Sequence, residues 1–197
     1  MILIVSGFAG SGKSSLADSL GKHFSLRVIH ASDVMKQLME GKLDLNNTKG
    51  HEGFWESKES EHIMKHREEN DELDKKLDEL LLKEVEKDNL VLDSWTMPWL
   101  SKKGIKIWLN ASPEIRAKRV SLRDKMSFEK ILSKIKERDE KTKGIYKRIY
   151  NFSLGNDFEP FDLIIETNEI NQKEVFEKTL KELKNLNLKK NKKFKEN

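Results

Sequence analysis

The chain has 197 residues, which is enough for one domain with a substantial core and does not require a second domain. The 38 lysines and arginines against 34 aspartates and glutamates give a net charge of +4, which is too small to indicate a nucleic-acid partner without a localised basic patch. The absence of cysteine excludes disulfides and thiolate metal sites and agrees with a cytoplasmic location. No stretch approaches the roughly 18 apolar residues of a membrane span, and we expect neither a membrane segment nor a signal peptide.

Apolar runs alternate along the chain with segments of helical periodicity. The runs predict strands at residues 1–6, 26–30, 89–93, 105–109 and 161–166. Helices are predicted at residues 13–24, from 32 to about 41, at 60–87, and from starting points near 113, 128 and 171. This alternation predicts an α/β fold with a parallel sheet, right-handed crossovers and helices on both faces of the sheet.

Several of the predicted helices begin at residues that can satisfy free backbone N–H groups. Three serines are placed for this role, and an asparagine with a glutamate three residues later forms a capping box at the last helix. Proline suits the first position of the helix near residue 113. The predicted capping residues are Ser32, Ser112, Ser127, and Asn171 with Glu174.

Two segments show no clear periodicity. Residues 41–60 are polar and rich in turn-forming residues, and we interpret them as a loop. Residues 188–197 hold five lysines and one glutamate, which predicts a disordered, solubilising tail. Contact of this tail with RNA or an acidic partner is the alternative, and the tail is the only segment in which we expect a nucleic-acid contact.

A glycine-rich stretch follows the first predicted strand and precedes the first predicted helix. Residues 7–14 read Gly-Phe-Ala-Gly-Ser-Gly-Lys-Ser and match the phosphate-binding pattern GxxxxGK[ST]. The glycines let backbone N–H groups surround a phosphate chain, Lys13 can reach the outer phosphates, and Ser14 can offer its hydroxyl to Mg²⁺. We therefore predict a nucleoside triphosphate site formed by Gly7, Phe8, Ala9, Gly10, Ser11, Gly12, Lys13, Ser14 and Ser15.

A carboxylate, Asp93, ends the third predicted strand. Ligands of open α/β sheets bind at the carboxyl ends of the strands. Beside a phosphate-binding loop, such an acid can hold Mg²⁺ directly or through water. An aspartate that only caps a loop is the alternative, and the glycine-rich stretch favours the metal role.

Arginine is unevenly distributed in this lysine-rich chain. Seven of its 38 basic residues are arginine, and five of the seven lie between residues 116 and 148. Arginine binds anions with a planar two-donor fork that lysine lacks, which favours a site for an anion here. Three of the five follow i, i+3, i+7 spacing and share one helical face. The five residues are Arg116, Arg119, Arg123, Arg138 and Arg148.

One of these arginines interrupts an apolar stripe. Arg138 continues the helical spacing of Phe128, Ile131 and Ile135, so we expect its side chain to face the interior. The alternative for the whole group is a pair of helices joined by salt bridges to acids in the same segment. Those acids are Glu129, Glu137, Asp139 and Glu140.

Weaker signals come from histidine and tryptophan. His62 and His66 have the i, i+4 spacing of zinc ligands, but no HExxH frame or third ligand accompanies them, which favours solvated side chains. Trp95 and Trp99 follow Asp93 and either line a substrate pocket or cover the end of the sheet. Trp108 lies within an apolar strand and is predicted to be core.

Taken together, these motifs resemble the nucleoside monophosphate kinases and are most similar to the archaeal-type cytidylate kinases, over about residues 1–186. The likeness rests on the glycine-rich stretch and on the segments HASDVMKQLM, LVLDSW, KIWLNASPEIRAKR, KERDEKTKGIYKRIY and FDLIIETN. It implies a single kinase domain at residues 1–187, with a five-stranded parallel sheet of the P-loop NTPase type. A small helical acceptor-binding region would span about 33–87 and a lid about 119–150.

The resemblance also implies roles for individual residues. Lys13 and the loop amides would hold the ATP phosphates, Arg119 and Arg123 would face ATP from the lid hinge, and Arg138 would reach the transferred phosphoryl group. Lys13, Arg123 and Arg138 are therefore the catalytic candidates. Asp93 would order the Mg²⁺ shell together with Ser14.

The acceptor side departs from the family's pattern at two positions. Lys36 and Trp95 stand where relatives usually carry arginine. The predicted acceptor-site residues are Ser32, Asp33, Lys36, Asp93 and Trp95.

The function implied is Mg²⁺-dependent phosphoryl transfer from ATP to a nucleoside monophosphate, CMP or dCMP, by a monomer whose partners are small-molecule nucleotides. One alternative is a P-loop kinase for another small phosphate acceptor. A second is an adenylate-kinase-like ATPase that acts as an assembly factor on RNA or ribosomal particles.

Overall fold

The computed structural model describes residues 1–50 and 58–193, and it describes their side chains except at 58–60 and 187–193. Five parallel strands form one sheet in the order β2-β3-β1-β4-β5. The sheet grows from β1 in both directions, so the carboxyl end of β1 is the switch point at which α/β sheets bind ligands. The strands are β1 (Ile2–Ser6), β2 (Arg27–His30), β3 (Leu90–Asp93), β4 (Ile105–Asn110) and β5 (Leu163–Glu166).

Helices cover both faces of the sheet. Alternate residues of β1 enter different cores, since Ile2 and Ile4 pack against α2 and α4, whereas Leu3 and Val5 pack against α1 and α8. The helices in the described part of the chain are α1 (Lys13–Phe24), α2 (Ala31–Glu40), α3 (Lys58–Glu69), α4 (Glu72–Glu86), α5 (Met97–Leu100), α6 (Pro113–Asp124), α7 (Phe128–Tyr150) and α8 (Gln172–Lys193).

The predicted fold class and all five predicted strands are confirmed. The helix predicted at 60–87 is instead two helices, because the chain breaks at Asn70, whose side chain accepts a hydrogen bond from the Glu72 amide at 2.8 Å. The short helix α5 was not predicted. Residues 42–50 are irregular, as expected, but α3 already begins at residue 58, and residues 51–57 of the predicted loop lie outside the described residues.

Two of the predicted helix caps are confirmed. The Ser112 hydroxyl accepts a hydrogen bond from the Ile115 amide at 3.3 Å. At the start of α8, the Asn171 amide donates to the Glu174 carboxylate at 2.7 Å, and the Glu174 amide donates to the Asn171 side chain at 3.1 Å. This pair is a capping box, as the sequence predicted.

The other two predicted caps are wrong. Helix α2 begins at Ala31 directly after β2, so Ser32 lies inside its first turn. Ser127 does occupy the N-cap position of α7, but its hydroxyl donates to the Glu129 carboxylate and makes no cap hydrogen bond. At the same end of α7, Phe128 is 37% exposed rather than buried in the predicted apolar stripe.

The structure also differs from the predicted disorder of residues 188–197. Helix α8 continues to Lys193, and residues 194–197 lie outside the described residues. Lysine is a good helix former, so a basic segment can extend a helix that is anchored by its earlier turns. Across the helices that the structure describes, none is long and apolar enough to cross a membrane.

Candidate active site

The predicted phosphate-binding loop connects β1 to α1 at the switch point of the sheet. Gly12 occupies the N-cap position of α1 with a φ of +95°, in the left-handed region that glycine favours. At Gly7, a Cβ atom would lie 2.6 Å from Ser11 Oγ and 2.8 Å from the Leu109 carbonyl oxygen, so a larger residue does not fit. The free amides of α1 therefore open directly onto the loop, where a helix N-terminus favours an anion.

Two side chains from distant parts of the sequence hold this loop in place. The Trp95 indole Nε1 donates to the Gly7 carbonyl oxygen at 2.7 Å, and Arg116 Nη1 donates to the Ala9 carbonyl oxygen at 3.0 Å. Both donors are buried. The loop is therefore fixed from both sides before any ligand binds.

The Ser14 hydroxyl and the Asp93 carboxylate meet beside the loop. Ser14 Oγ donates to Asp93 Oδ2 at 2.6 Å, and His30 Nδ1 lies 3.1 Å from the same oxygen. Burial alone would raise the pKa of Asp93, but the Lys13 charge and the hydrogen bonds from His30 and Ser14 outweigh it and hold this pKa below its ordinary value. The site therefore presents an ionised carboxylate next to a hydroxyl, two oxygen donors that could hold a magnesium ion beside a phosphate chain.

His30 is a site residue that the sequence did not identify. Its Nε2 lies 3.0 Å from Asp18 Oδ1, so the ring joins α1 to the end of β3. Burial would lower the pKa of His30, but Asp93 and Asp18 raise it above its ordinary value. His30 ends β2 as Asp93 ends β3, and the two residues are partners in the sheet register. The position of His30 at the end of a predicted strand was therefore the sequence signal that could have identified it as a site residue.

A cavity of about 870 Å³, counting its opening to solvent, extends from the loop to α2, α3 and α4. We call it the main cavity because Lys13, Ser14 and Asp93 line it together. It brings together most of the predicted site residues and several that were not predicted. The predicted residues that line it are Ala9, Gly10, Gly12, Lys13, Ser14, Ser15, Ser32, Asp93, Trp95 and Arg123, and the others include Arg67, Leu77, Thr96 and Tyr146.

Three cationic side chains gather around the ring of Trp95. Lys13 Nζ lies 5.5 Å from the ring centroid, Arg67 Cζ 5.9 Å and Arg138 Cζ 5.4 Å. They come from α1, α3 and α7, which are far apart in the sequence. Such a concentration of positive charge at the end of a phosphate-binding loop is suited to a ligand with several negative charges.

A second cavity, of about 1040 Å³ with its opening to solvent, lies between the loop, α6 and the start of α8. Arg119, Arg123, Asn171 and Gln172 line part of it. The Arg119 guanidinium is held by Thr167, whose hydroxyl accepts at 3.1 Å and whose carbonyl oxygen also accepts. Arg123 lines both cavities, so it stands at the boundary between them.

Two of the predicted acceptor-site residues do not line either cavity in the part of the chain that the structure describes. Asp33 is buried, and its Oδ2 accepts from Gln37 Nε2 and from the Lys49 amide, both at 3.0 Å. Lys36 lies 3.7 Å from Glu40 on the same helix. In this conformation Asp33 fixes residue 49 of the loop after α2 to the helix.

The expectation that Arg116 faces a bound anion is wrong. Arg116 is fully buried, and its Nη2 lies 2.5 Å from Asp139 of α7. Arg148 likewise pairs with Asp71 at 2.6 Å, on the surface. Helical spacing gives the face on which an arginine lies but not its partner, and for these two residues the salt-bridge alternative is the correct one.

Replacement of Arg116 by methionine is expected to lower the free energy of unfolding by about 3–5 kcal/mol, because it leaves Asp139 buried without its counter-ion. The change also removes the hydrogen bond to Ala9 in the phosphate-binding loop. Urea unfolding of Arg116→Met and of the surface variant Arg148→Met measures the difference. A loss below about 1 kcal/mol, the range of a surface ion pair, would contradict the structural role of Arg116.

A buried carboxyl group joins α4 to α7 and to the residues after β3. Asp78 accepts from the Thr96 hydroxyl at 2.5 Å and from the Tyr150 hydroxyl at 2.7 Å. Burial raises the pKa of Asp78 to about 7, although both hydrogen bonds oppose the shift. The group is therefore half protonated near neutral pH in the folded protein.

This raised pKa predicts a pH dependence of stability. In the unfolded chain an aspartate ionises near pH 4, so the stabilisation from protonated Asp78 is complete below about pH 4 and is lost as the pH rises through about 7. The unfolding free energy of the wild type minus that of Asp78→Asn should fall by at most about 1.4 kcal/mol per pH unit across this window. Denaturant titrations from pH 4 to pH 8 test this expectation, and a flat difference would contradict the raised pKa.

The remaining aromatic and histidine residues lie away from the cavities. Trp108 is core, as predicted, and Trp99 stacks on Phe152 with ring centroids 4.2 Å apart. Of the two tryptophans after Asp93, Trp95 therefore lines the pocket and Trp99 covers the sheet end. His62 and His66 are exposed on α3.

Comparisons with known proteins agree with this geometry. Residues 2–169 match the model of the cytidylate kinase-like family. A protein named cytidylate kinase from Sulfurisphaera tokodaii is 35% identical over 183 residues, covering 89% of this chain and 91% of that protein. The cytidylate kinase of Pyrobaculum islandicum is 30% identical and covers 85% of this chain and 84% of that protein.

Among solved structures, the shikimate kinase of Bacteroides thetaiotaomicron matches with a TM-score of 0.56 at 15% identity, covering 94% of this chain and 97% of that one. At this identity the likeness concerns the fold alone. The family match covers most of the chain, including the phosphate-binding loop, Asp93 and the arginines of α6 and α7. The chain therefore belongs to the cytidylate kinase-like family.

Proposed function

We propose that this protein is a nucleoside monophosphate kinase that transfers the γ-phosphoryl group of ATP to CMP or dCMP. The observation that carries the proposal is the group of three cations, Lys13, Arg67 and Arg138, around Trp95 at the end of the phosphate-binding loop. The names of the relatives support CMP as the acceptor.

ATP binds across the loop in this proposal. Its phosphates lie on the amides of residues 7–15 and on Lys13, and its base occupies the second cavity beside Arg119. Arg123 stands between the cavities and contacts the phosphate chain where it passes from one to the other. Donor and acceptor would thus enter from opposite sides of Arg123.

The acceptor occupies the main cavity, against the region formed by α2, α3 and α4. Ser32 and Trp95 line this space. Asp33 and Lys36 remain proposed acceptor-site residues, and Lys36 requires a movement of α2 or of the loop after it to reach the ligand. The segment from residue 119 to residue 150, which contains α7, acts as the lid over the reacting groups.

The chemical step is an in-line displacement at phosphorus. An oxygen of the acceptor phosphate attacks the γ-phosphorus of ATP, the bond to the β–γ bridging oxygen breaks, and ADP leaves with the electron pair. A phosphate nucleophile is already ionised, so no general base is required. Lys13, Arg123 and Arg138 would stabilise the charge that is spread over the transferring oxygens, and closure of the lid would exclude water.

Mg²⁺ is part of this proposal, and the residues present fit it. No group of three or more histidine, cysteine, aspartate or glutamate side chains within residues 1–50 and 58–193 could hold a metal. Mg²⁺ at a phosphate site instead takes one or two protein oxygens together with phosphate oxygens and water, and the Ser14 hydroxyl and ionised Asp93 supply such oxygens. Bound there, the ion would neutralise charge on the phosphate chain.

An acceptor panel tests the proposal. ADP formation from ATP and Mg²⁺ should be accelerated by CMP or dCMP, and more weakly by UMP, AMP or shikimate. Lys13→Met serves as the matched control for contaminating kinases. Equal stimulation by a non-nucleotide acceptor would favour a different small-molecule kinase, and acceptor-independent hydrolysis with salt-sensitive RNA binding would favour the assembly-factor alternative.

A further inference from the structure

Arg67 lies on α3 and is 0% exposed, although it is a charged residue near a helix end. Its Nη2 donates to Asp74 Oδ1 at 2.7 Å and to the Tyr146 hydroxyl at 2.9 Å, and its Nε lies 3.0 Å from Asp74 Oδ2. One edge of the guanidinium is therefore fixed by a two-point contact with a buried carboxylate. The guanidinium is therefore positioned by side chains of the protein itself.

The other edge of the same guanidinium is unsatisfied. Nη1 of Arg67 is buried and has no hydrogen-bond partner in the described part of the chain. A buried N–H donor without a partner costs about 1–3 kcal/mol, and such groups are rare in folded proteins. Arg67 also forms part of the wall of the main cavity. Because Nη1 itself is buried, an oxygen of a ligand in that cavity becomes its partner once the side chains that cover Nη1 move aside.

The position of Arg67 indicates which ligand supplies that oxygen. The phosphates of ATP are accounted for by the glycine-rich loop and Lys13, and the second cavity lies on the far side of Arg123. Arg67 instead reaches the cavity from α3, and residues of α2 and α4 such as Met35 and Leu77 also line it. Lys13 and Arg67 lie 5.5 Å and 5.9 Å from the centroid of the same Trp95 ring. An anion on Arg67 would therefore lie beside the outer phosphates of the triphosphate, where an acceptor phosphate must be for the transfer.

We propose that Arg67 binds the phosphate of the acceptor nucleotide through Nη1 and thereby determines that the acceptor is a phosphate monoester. This inference rests on the proposed kinase function. The guanidinium is held in advance by Asp74 and Tyr146, so little side-chain entropy is lost when the phosphate binds. A charge-assisted hydrogen bond in a buried site is strong enough to separate a nucleotide from its nucleoside.

The alternative is that Arg67 only joins α3 to α4 and α7. Arg148 offers a matched control for this role, because it also ties α7 to the end of α3, through Asp71 and the Arg67 carbonyl oxygen at 3.1 Å, yet does not line the cavity. A loss of packing between the helices would affect both variants. A loss of phosphate recognition would affect only Arg67.

The test compares CMP with cytidine. Dissociation constants for both ligands are measured by calorimetry, or by competition for cytidine, on the wild type, Arg67→Met, Arg67→Lys and Arg148→Met. The ratio of the cytidine constant to the CMP constant is the contribution of the phosphate. We expect this ratio to fall by about 10- to 100-fold in Arg67→Met, to fall less in Arg67→Lys, and to stay unchanged in Arg148→Met. Cytidine affinity and KM for ATP should change little in all variants.

Arg67→Met could fail to fold, because it leaves Asp74 buried without a counter-ion. The double variant Arg67→Met with Asp74→Asn removes that charge, and it should show the same reduced ratio. An unchanged ratio in folded variants, with CMP-dependent ADP formation intact in the wild type, would overturn the role of Arg67 but not the proposed function. A wild type that neither binds CMP nor responds to it would overturn both.

Discussion

Replacement of Lys13 by methionine is expected to reduce CMP-dependent ADP formation by about 10²- to 10³-fold, the range measured when one stabilising donor is removed from a reaction site. Lys13 lines the main cavity directly after the glycine-rich loop, and its ammonium lies above Trp95 with two arginines on the same ring. Methionine fills a similar volume without the charge, so the loss should come from the charge alone.

A second consequence follows from the electrostatic effect of Lys13 on Asp93. The Lys13 charge contributes to the lowered pKa of Asp93. Its removal should therefore raise the Mg²⁺ concentration that is needed for half-maximal rate, in addition to lowering the maximal rate, because a carboxylate that is easier to protonate is a poorer metal ligand. Rates measured across a Mg²⁺ titration would show both effects.

Lys22→Met is the control for this experiment. Lys22 lies in the last turn of the same helix and is exposed, so its loss should leave the rate and the melting temperature close to those of the wild type. A Lys13→Met protein with a wild-type melting temperature and a wild-type rate would rule out the assignment of this loop as the ATP site.

The positions of the glycine-rich loop and of Asp93 could be predicted from the sequence because their signals are local. The loop needs glycine at fixed offsets between one strand and one helix, and residues 7–14 satisfy that pattern without reference to the rest of the chain. Asp93 could be placed because the end of a parallel strand is a defined location in an α/β sheet. Both predictions depend on backbone geometry that neighbouring residues determine.

The partners of the arginines could not be predicted from local sequence. Arg119 and Arg123 line cavities, which agrees with their predicted role at a ligand site, whereas Arg116 is bound to Asp139 and Arg148 to Asp71. These partners are supplied by the packing of α6 on α7 and of α7 on α3. Periodicity within one helix carries no information about which carboxylate a second helix will bring.

The acceptor half was the least predictable part. Arg67 and Tyr146 become cavity residues only because α3 and α7 pack together, and Ser32 lines the cavity even though its predicted capping role is wrong. A signal for Arg67 was nevertheless present. In a chain that uses lysine for most of its positive charge, an arginine within the helix predicted at residues 60–87 already indicated a need for the planar fork.

Replacement of Arg138 by methionine is expected to lower kcat by about 10²- to 10³-fold while KM for ATP and for CMP changes only a few-fold. Arg138 belongs to α7, the helix that we propose as part of the lid, and its guanidinium carbon lies 5.4 Å from the centroid of Trp95, beside Lys13 and Arg67. It does not line the main cavity among the described residues. This placement suits a group that contacts the phosphoryl group once the lid has moved, and a contact made mainly in the transition state affects kcat rather than KM.

Lys134→Met provides the matched control, because Lys134 lies one turn earlier on α7 and pairs on the surface with Glu61. Arg138→Lys should recover part of the lost rate, since it restores the charge without the planar fork. If Arg138→Met raised KM for CMP and left kcat unchanged, Arg138 would be an acceptor-binding residue, and the lid would not complete the catalytic site. If Arg138→Met and Lys134→Met had the same kcat, Arg138 would have no part in the reaction. Stabilisation of the transferring charge would then rest on Lys13 and Arg123 alone.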